Sequence, residues 1–171
     1  MSEKLKMTKK PASEDELKLY LLVGKALCSL QLLEDELIMA IAVNECDDPS
    51  NTKRSSEVLK KHRDYGFGKA LSVIRDRNLL TELIRDKLRP LKEERDWLVH
   101  RGIYQSLNGS PDQMSFDHCK TELFDRLQKI IDETHTVQHL MLEDLISSMK
   151  ASGKDVSVLI DARERYYDEA N

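Results

Sequence analysis

The chain has few residues that cross-link, interrupt or anchor a protein. Its 3 cysteines, Cys28, Cys46 and Cys119, form no Cys-x-x-Cys pair, so neither a disulfide framework nor a thiolate zinc site is expected. Only 6 glycines and 4 prolines occur in 171 residues, which favours long uninterrupted helices. No segment approaches the ~18 consecutive apolar residues of a membrane span. The N-terminal lysines are followed by no apolar run, so we expect a cytoplasmic protein without membrane contact.

The composition is typical of one helical domain with charged outer faces. Hydrophobic residues make up 40% of the chain and charged residues 34%, and the length suffices for one domain with a real core. Lysine and arginine number 27 against 31 acidic residues, a net charge of −4. This balance argues against a protein coated in nucleic acid but leaves room for a local basic groove.

Apolar periodicity predicts an all-α, up-and-down bundle of four to five helices within residues 13–153, expected to be dimeric. Ser13 and Glu16 have the spacing of a capping box, so the first helix should begin there and run to about Val43. Later helices are predicted over about 53–63, 67–76, 79–104 and 116–153. Pro90 lies inside the fourth of these helices, where it predicts a kink or break near Lys87.

Three other segments are less regular. Residues 1–12 are lysine-rich and are expected to form a mobile basic tail, with an RNA-touching arm as the alternative reading. Turn residues around Asn108 and Gly109 make a small hairpin conceivable between 103 and 116. Residues 154–171 are expected to form a C-terminal extension that could add a short helix.

Chemistry is suggested at one place, in the later part of the fourth predicted helix. There Arg95 occupies one position of an apolar seam. A guanidinium at such a position is costly unless it is ion-paired, solvated or part of a functional site. One of the carboxylates of Glu34, Asp35 and Glu36 is a conceivable partner across the bundle, although a solvated acidic cluster is the plainer reading. The other seam positions are apolar: Ile84, Leu88, Leu91 and Leu98.

Asp96 and His100 accompany Arg95 on this helix. They are four residues apart, so they share a face and could hydrogen-bond, which would orient the imidazole. Arg95 and His100 are five apart, which on an α-helix separates them by about 140° and about 7.5 Å along the axis. One helix alone would therefore not clasp a substrate between them.

The segment Arg95-Asp96-Trp97-Leu98-Val99-His100 resembles the signature of the HEPN superfamily (higher eukaryotes and prokaryotes nucleotide-binding). That signature is an arginine, a polar residue, a few mostly apolar residues and a histidine. Members are helical bundles with a long amphipathic first helix and the motif late in a later helix, roles that residues 14–45 and 79–104 would fill. In many members the arginine and histidine of two protomers meet at a two-fold axis and cleave RNA without metal.

The resemblance implies a metal-independent endoribonuclease, plausibly a toxin or defence effector, that needs no cofactor. His100 would be its general base or acid, Arg95 its phosphate ligand, and Asp96 would hold the imidazole. Expected partners are a second copy of the chain, an RNA substrate, and an antitoxin or a nucleotidyltransferase. Some members carry a modified tyrosine two residues after the histidine, where this chain has Gly102, with a tyrosine only at Tyr104.

Two other functional classes compete with the nuclease. One is a non-catalytic HEPN-like interaction or nucleotide-binding module, and the other is a helical regulator unrelated to this superfamily. A metal site is disfavoured, because Asp132 and His135 form the only acid-x-x-His unit whereas a two-metal bundle needs two. The pair His135 and His139 is therefore not expected to bind metal.

Overall fold

The computed structural model describes residues 13–46, 52–102, 114–157, 159–161 and 164. Within these ranges the secondary structure is helical and contains no strand, which confirms the all-α prediction. The predicted tail at 1–12 lies outside the described residues, as does the predicted hairpin up to residue 113. The helices are α1 (Glu14–Glu45), α2 (Thr52–His62), α3 (Phe67–Arg77), α4 (Glu82–Trp97), a π-helical turn (Leu98–Gly102) and α5 (Met114–Ala151).

Helix α1 begins at the predicted capping box. The Ser13 hydroxyl accepts the backbone N–H of Glu16 at 3.3 Å, and the Glu16 carboxylate accepts the backbone N–H of Ser13 at 2.6 Å. These two bonds satisfy donors that the first helical turn leaves without an intrahelical partner. The start of α1 is therefore determined by four consecutive residues, independently of the rest of the fold.

The core lies where α1 packs along α5, with α3 and α4 closing one side. Fully buried side chains come from all four of these helices, and they include Leu33 and Leu37 of α1 and Leu127 of α5. Along each helix the buried positions recur every three or four residues, the spacing that places an apolar stripe on one helix face. No helix among the described residues combines the length and apolar character needed to cross a bilayer.

Helix α1 also carries apolar side chains on its solvent side. Leu17, Leu21, Leu32 and Met39 are about half exposed or more, and helical geometry places them within about 60° of one another. We call these four residues the outer apolar row of α1. A helix that is apolar on its outer side as well as its core side is typical of one that is covered further by another element.

Of the kink or break predicted near Lys87, the break is wrong, because α4 runs through Pro90 without interruption from Glu82 to Trp97. Pro90 and Asp86 are both exposed. The Asp86 carbonyl that loses its intrahelical partner can therefore tilt towards water, which lets a helix tolerate an internal proline. The helix also starts later than predicted, at Glu82, since left-handed Asn78 (φ 56°) ends α3 and Leu80 is buried in the connection.

The end of α5 agrees with the predicted stop near Gly153. Gly153 has a positive φ of 69°, and the Lys154 N–H donates to the Met149 carbonyl at 2.9 Å. This is the bond that closes a helix through a left-handed residue after its last turn. Val156 is buried beyond it, and the described residues Ser157 and 159–161 are helical.

Candidate functional site

Arg95 lies on the core-facing side of α4, in the seam predicted for it. The seam residues Leu88, Leu91 and Leu98 are buried, whereas 30% of the Arg95 side chain is exposed. The aliphatic stem of arginine can cover apolar surface while its guanidinium reaches water. The position therefore holds a cation at the margin of the core rather than inside it.

A buried carboxylate from α1 faces this guanidinium. Glu34 Oε2 lies 3.8 Å from Arg95 Nη2, and only 8% of the Glu34 side chain is exposed. Glu34 is thus the partner that was conceivable within the 34–36 cluster, and the plainer reading of a solvated acid is wrong for this residue. Glu34 is buried because it follows Leu30 and Leu33 and precedes Leu37 on the core face of α1.

Asp96 is engaged differently from the prediction. Its carboxylate accepts a hydrogen bond from Lys92 Nζ at 2.7 Å and lies 3.6 Å from Arg95 Nη1. The hydrogen bond from Lys92 lowers the pKa of Asp96 below its usual range, with smaller contributions from the charges of Lys92, Arg95 and His100.

Among the described residues, Asp96 and His100 are not hydrogen-bonded to each other, so the predicted bond between them is wrong. Lys92 stands four residues before Asp96 and carries a full charge on a flexible stem, so it captures the carboxylate. His100 is exposed, and it acts on Asp96 through its charge. Asp96 is therefore an electrostatic neighbour of the imidazole rather than its direct support.

The π-helical turn Leu98–Gly102 contains His100. In such a turn the backbone bonds run i→i+5, so each turn has more residues than in an α-helix, and π-helical turns often mark functional sites. The wider turn rotates His100 less far from Arg95 than the about 140° of a regular α-helix. Hydrophobic periodicity contains no signal for this change, and sequence reasoning missed it.

Helix α5 supports the same end of α4 through Arg126. Its guanidinium carbon lies 3.5 Å from the centre of the Trp97 ring, and its Nε donates to Glu94 Oε2 at 2.8 Å. The Arg126 guanidinium thus stacks on Trp97 and makes a charge-assisted hydrogen bond to Glu94. Both contacts hold α4 against α5 just before the π-helical turn. The periodicity of either helix alone could not indicate this contact.

The histidines of α5 are not gathered into a metal site. His135 Nε2 lies 3.4 Å from the Ser29 hydroxyl of α1. Among the described residues, no three side chains of His, Cys, Asp or Glu are placed to hold a metal ion. The ring of His135 is instead part of the contact between α1 and α5.

Comparison with known proteins adds no assignment: no family model matches the chain, and no curated protein or solved structure is significantly similar to it.

Proposed function

We propose that this protein is a metal-independent endoribonuclease of HEPN type, with an active site formed by Arg95 and His100 of two protomers. The observation that carries the proposal is a cation faced by buried Glu34 near the end of α4, followed five residues later by an exposed histidine in a π-helical turn. Arginine and histidine together supply the anion binding and proton transfer that RNA cleavage needs. A purely structural arginine would not call for an exposed histidine on the next turn.

The guanidinium of Arg95 keeps its donors available for a phosphate. Its contacts of 3.8 Å to Glu34 and 3.6 Å to Asp96 exceed the about 2.7–3.2 Å of an N–H···O hydrogen bond. The two carboxylates therefore attract and orient the cation without saturating its N–H groups. A phosphodiester could accept two parallel bonds from it and have its developing negative charge stabilised.

The proposed reaction is transfer of the phosphodiester to the neighbouring ribose hydroxyl. One imidazole takes the proton of the 2′-hydroxyl while its oxygen bonds to phosphorus. The bond from phosphorus to the 5′-oxygen breaks, and the second imidazole protonates that oxygen. The products are a 2′,3′-cyclic phosphate and a free 5′-hydroxyl. Histidine suits both roles because its ordinary pKa lies near neutrality.

The outer apolar row of α1 supports the dimeric part of the proposal. Leu21 is 61% exposed and Leu32 is 58% exposed, and both lie on the same side of α1. Exposed apolar side chains that recur on one side of a helix, in a protein with 34% charged residues, favour an interaction surface there. A second copy of the chain would cover this row with an identical row, as isologous dimers do.

The test of the chemistry is cleavage of a labelled single-stranded RNA in EDTA by the wild-type protein, His100→Ala, Arg95→Ala and the control His139→Ala. We expect cleavage with 2′,3′-cyclic phosphate ends by the wild type and the control, and loss of at least about 100-fold in the first two variants. Equal activity in His100→Ala would exclude this site. RNA binding without cleavage by the wild type would favour the non-catalytic module instead.

The test of the dimer is sedimentation of Leu21→Lys beside Leu83→Lys. Both residues are exposed to the same degree, 61% and 60%, but Leu83 lies on α4, away from the outer apolar row. We expect a wild-type dimer that the Leu21 variant dissociates and the Leu83 variant does not. A wild-type monomer, or equal dissociation by both variants, would contradict an interface on this row.

A further inference from the structure

Two surface grooves run along α4, one on each side, and their charges differ. The α3–α4 groove, of about 470 Å³, is lined by Arg75, Arg85, Arg89 and Lys92 against the acids Glu82 and Asp86. The lining side chains alone sum to +2, in a chain whose net charge is −4, and two of the four cations, Arg75 and Lys92, are bonded to acids outside the lining. The cations that matter for anion binding are therefore the other two, Arg85 and Arg89.

The α4–α5 groove on the other side is larger, about 560 Å³, but electrically balanced. Its three cations, Lys87, Arg126 and Lys129, are matched by three carboxylates, Asp86, Glu94 and Glu133. Arg126 is further committed to Glu94 and to the Trp97 ring. The cations of α4 that form one run in sequence are therefore divided by the fold into a basic groove and a neutral one.

Two cations of the α3–α4 groove have no carboxylate within ion-pair distance in the part of the chain that the structure describes. Arg85 donates to the neutral amide oxygen of Asn78 at 2.5 Å and so keeps its net charge, and Arg89 is exposed on the next turn. Arg75 and Lys92, in contrast, are bonded to Asp76 and Asp96. Arg85 and Arg89 are the pair best placed to bind an anion.

The groove leads along α4 towards the candidate site. Arg85, Arg89 and Lys92 are spaced by four and three residues, so they share one helix face, and Lys92 is bonded to Asp96 on the following turn of that face. The distance along the axis from Arg89 to His100 is about 16 Å. A single strand with its scissile phosphate at Arg95 could therefore lay a neighbouring part of its backbone in the groove.

We propose that the α3–α4 groove binds the sugar-phosphate backbone of the single-stranded RNA that the candidate site cleaves, with Arg85 and Arg89 as the main phosphate ligands. The inference rests on the proposed function for the identity of the anion. Contacts of this kind are made to phosphates and not to bases, so binding through the groove is independent of RNA sequence and falls steeply with salt.

The experiment measures anisotropy of a fluorescein-labelled single-stranded RNA in EDTA, with His100→Ala as the parent so that the RNA stays intact. Arg85→Ala/Arg89→Ala removes two cations from the basic groove, and Lys87→Ala/Lys129→Ala removes two from the neutral groove. Loss of two phosphate contacts should lower the slope of log K against log salt by about 1.4. If binding is equal at about 1 M salt, this predicts about 25-fold weaker binding at about 0.1 M.

The control pair should stay within about threefold of the parent. Equal losses in both pairs, no loss in the groove pair, or no RNA binding by the parent would each overturn the groove. The two proposals can fail separately. If the groove binds RNA but the wild type does not cleave it, the proposed nuclease activity is contradicted and the groove is not. If the wild type cleaves RNA but Arg85→Ala/Arg89→Ala leaves binding unaltered, the proposed groove is contradicted and the nuclease activity is not. Arg89→Glu is a second variant, at an exposed position where misfolding is not expected.

Discussion

The guanidinium of Arg95 on α4 lies 3.8 Å from the carboxylate of Glu34 on α1, and the acid is the more deeply buried partner. A buried carboxylate that loses its cation keeps its cost of desolvation and gains nothing in return. The arginine is thus needed by the fold as well as by the proposed chemistry, and variants of Arg95 must be interpreted with both roles in mind.

A double-mutant cycle separates the two roles. Arg95→Ala should lower the free energy of unfolding by about 1–2 kcal/mol, less than for a fully buried pair, because the guanidinium is partly exposed. Adding Glu34→Gln should recover part of this loss, since the buried charge disappears. Urea unfolding followed by circular dichroism measures both, and strictly additive effects would show that the two groups do not interact. Restored stability without restored RNA cleavage is expected if Arg95 also contacts the phosphate.

Because of Glu36, we expect the free energy of unfolding of the protein to fall as the pH rises. Burial raises its pKa to about 7, against an opposing hydrogen bond from Gln138, and its Oε2 has no hydrogen-bond partner among the described residues. The folded state therefore favours the protonated acid, and this contribution is full below about pH 4.5 and is lost as the pH rises through about 7. Glu36→Gln should match the wild type at pH 4 and be about 1–2 kcal/mol more stable at pH 8.

Thermal unfolding across this pH range measures the effect of Glu36. The matched control is Glu122→Gln, which removes the same charge from an exposed position on α5. The control should follow the wild-type profile. A wild-type profile that is flat between pH 4 and 8, with no gain in Glu36→Gln, would contradict the burial of this acid.

Glu45 should give stability the opposite dependence on pH. A hydrogen bond with buried His62, supported by Arg77 and Lys61, lowers the pKa of Glu45 to about 2. The ionised acid is therefore favoured in the folded state, and its contribution is full above about pH 4.5 and is lost as the pH falls towards 2. We expect Glu45→Gln to cost about 1–2 kcal/mol at pH 7, after allowance for solvent screening, and almost nothing near pH 2.

The physical reason is that Glu45, at the end of α1, joins α2 and α3 through His62 and Arg77. Chemical unfolding at pH 7 and at about pH 2 measures the difference. Glu57→Gln, an exposed acid on α2, is the control for removing one charge. An equal loss in both variants would assign the effect to net charge rather than to this cluster.

Gly24 offers a stabilising substitution. It lies within α1, and a Cβ atom there would meet no atom of the residues that the structure describes within 4 Å. Gly24→Ala should therefore raise stability by about 1 kcal/mol, because alanine loses less backbone entropy in a helix, or about 2–4 °C in melting temperature. Gly153→Ala should do the reverse, since alanine is strained at the left-handed φ of 69° that Gly153 adopts.

Gly24→Ala also tests the proposed dimer interface. Gly24 falls on the side of α1 that carries the outer apolar row, between Leu21 and Leu32. A melting temperature measured at low protein concentration should show the gain. A loss that grows with protein concentration would mean that a second chain packs closely against Gly24 and has no room for the added methyl group.

The sequence by itself determined several of the helix boundaries. Ser13 and Glu16 set the start of α1, Asn78 the end of α3 and Gly153 the end of α5. These boundaries are local, because each depends on hydrogen bonds or backbone angles within a few neighbouring residues. The break predicted at Pro90 failed for the complementary reason, since the tolerance of a helix for proline depends on whether the freed carbonyl faces water.

Only the tertiary structure decided how the candidate site is built. Periodicity placed Arg95 on a core-facing seam, but it could not state which acid of α1 would face it or that Lys92 would take Asp96 from His100. It likewise could not divide the cations of α4 between a basic groove and a neutral one. Spacing along one helix specifies only the angle at which a side chain leaves its axis. What that side chain meets depends on the neighbouring helix, which comes from a distant part of the chain.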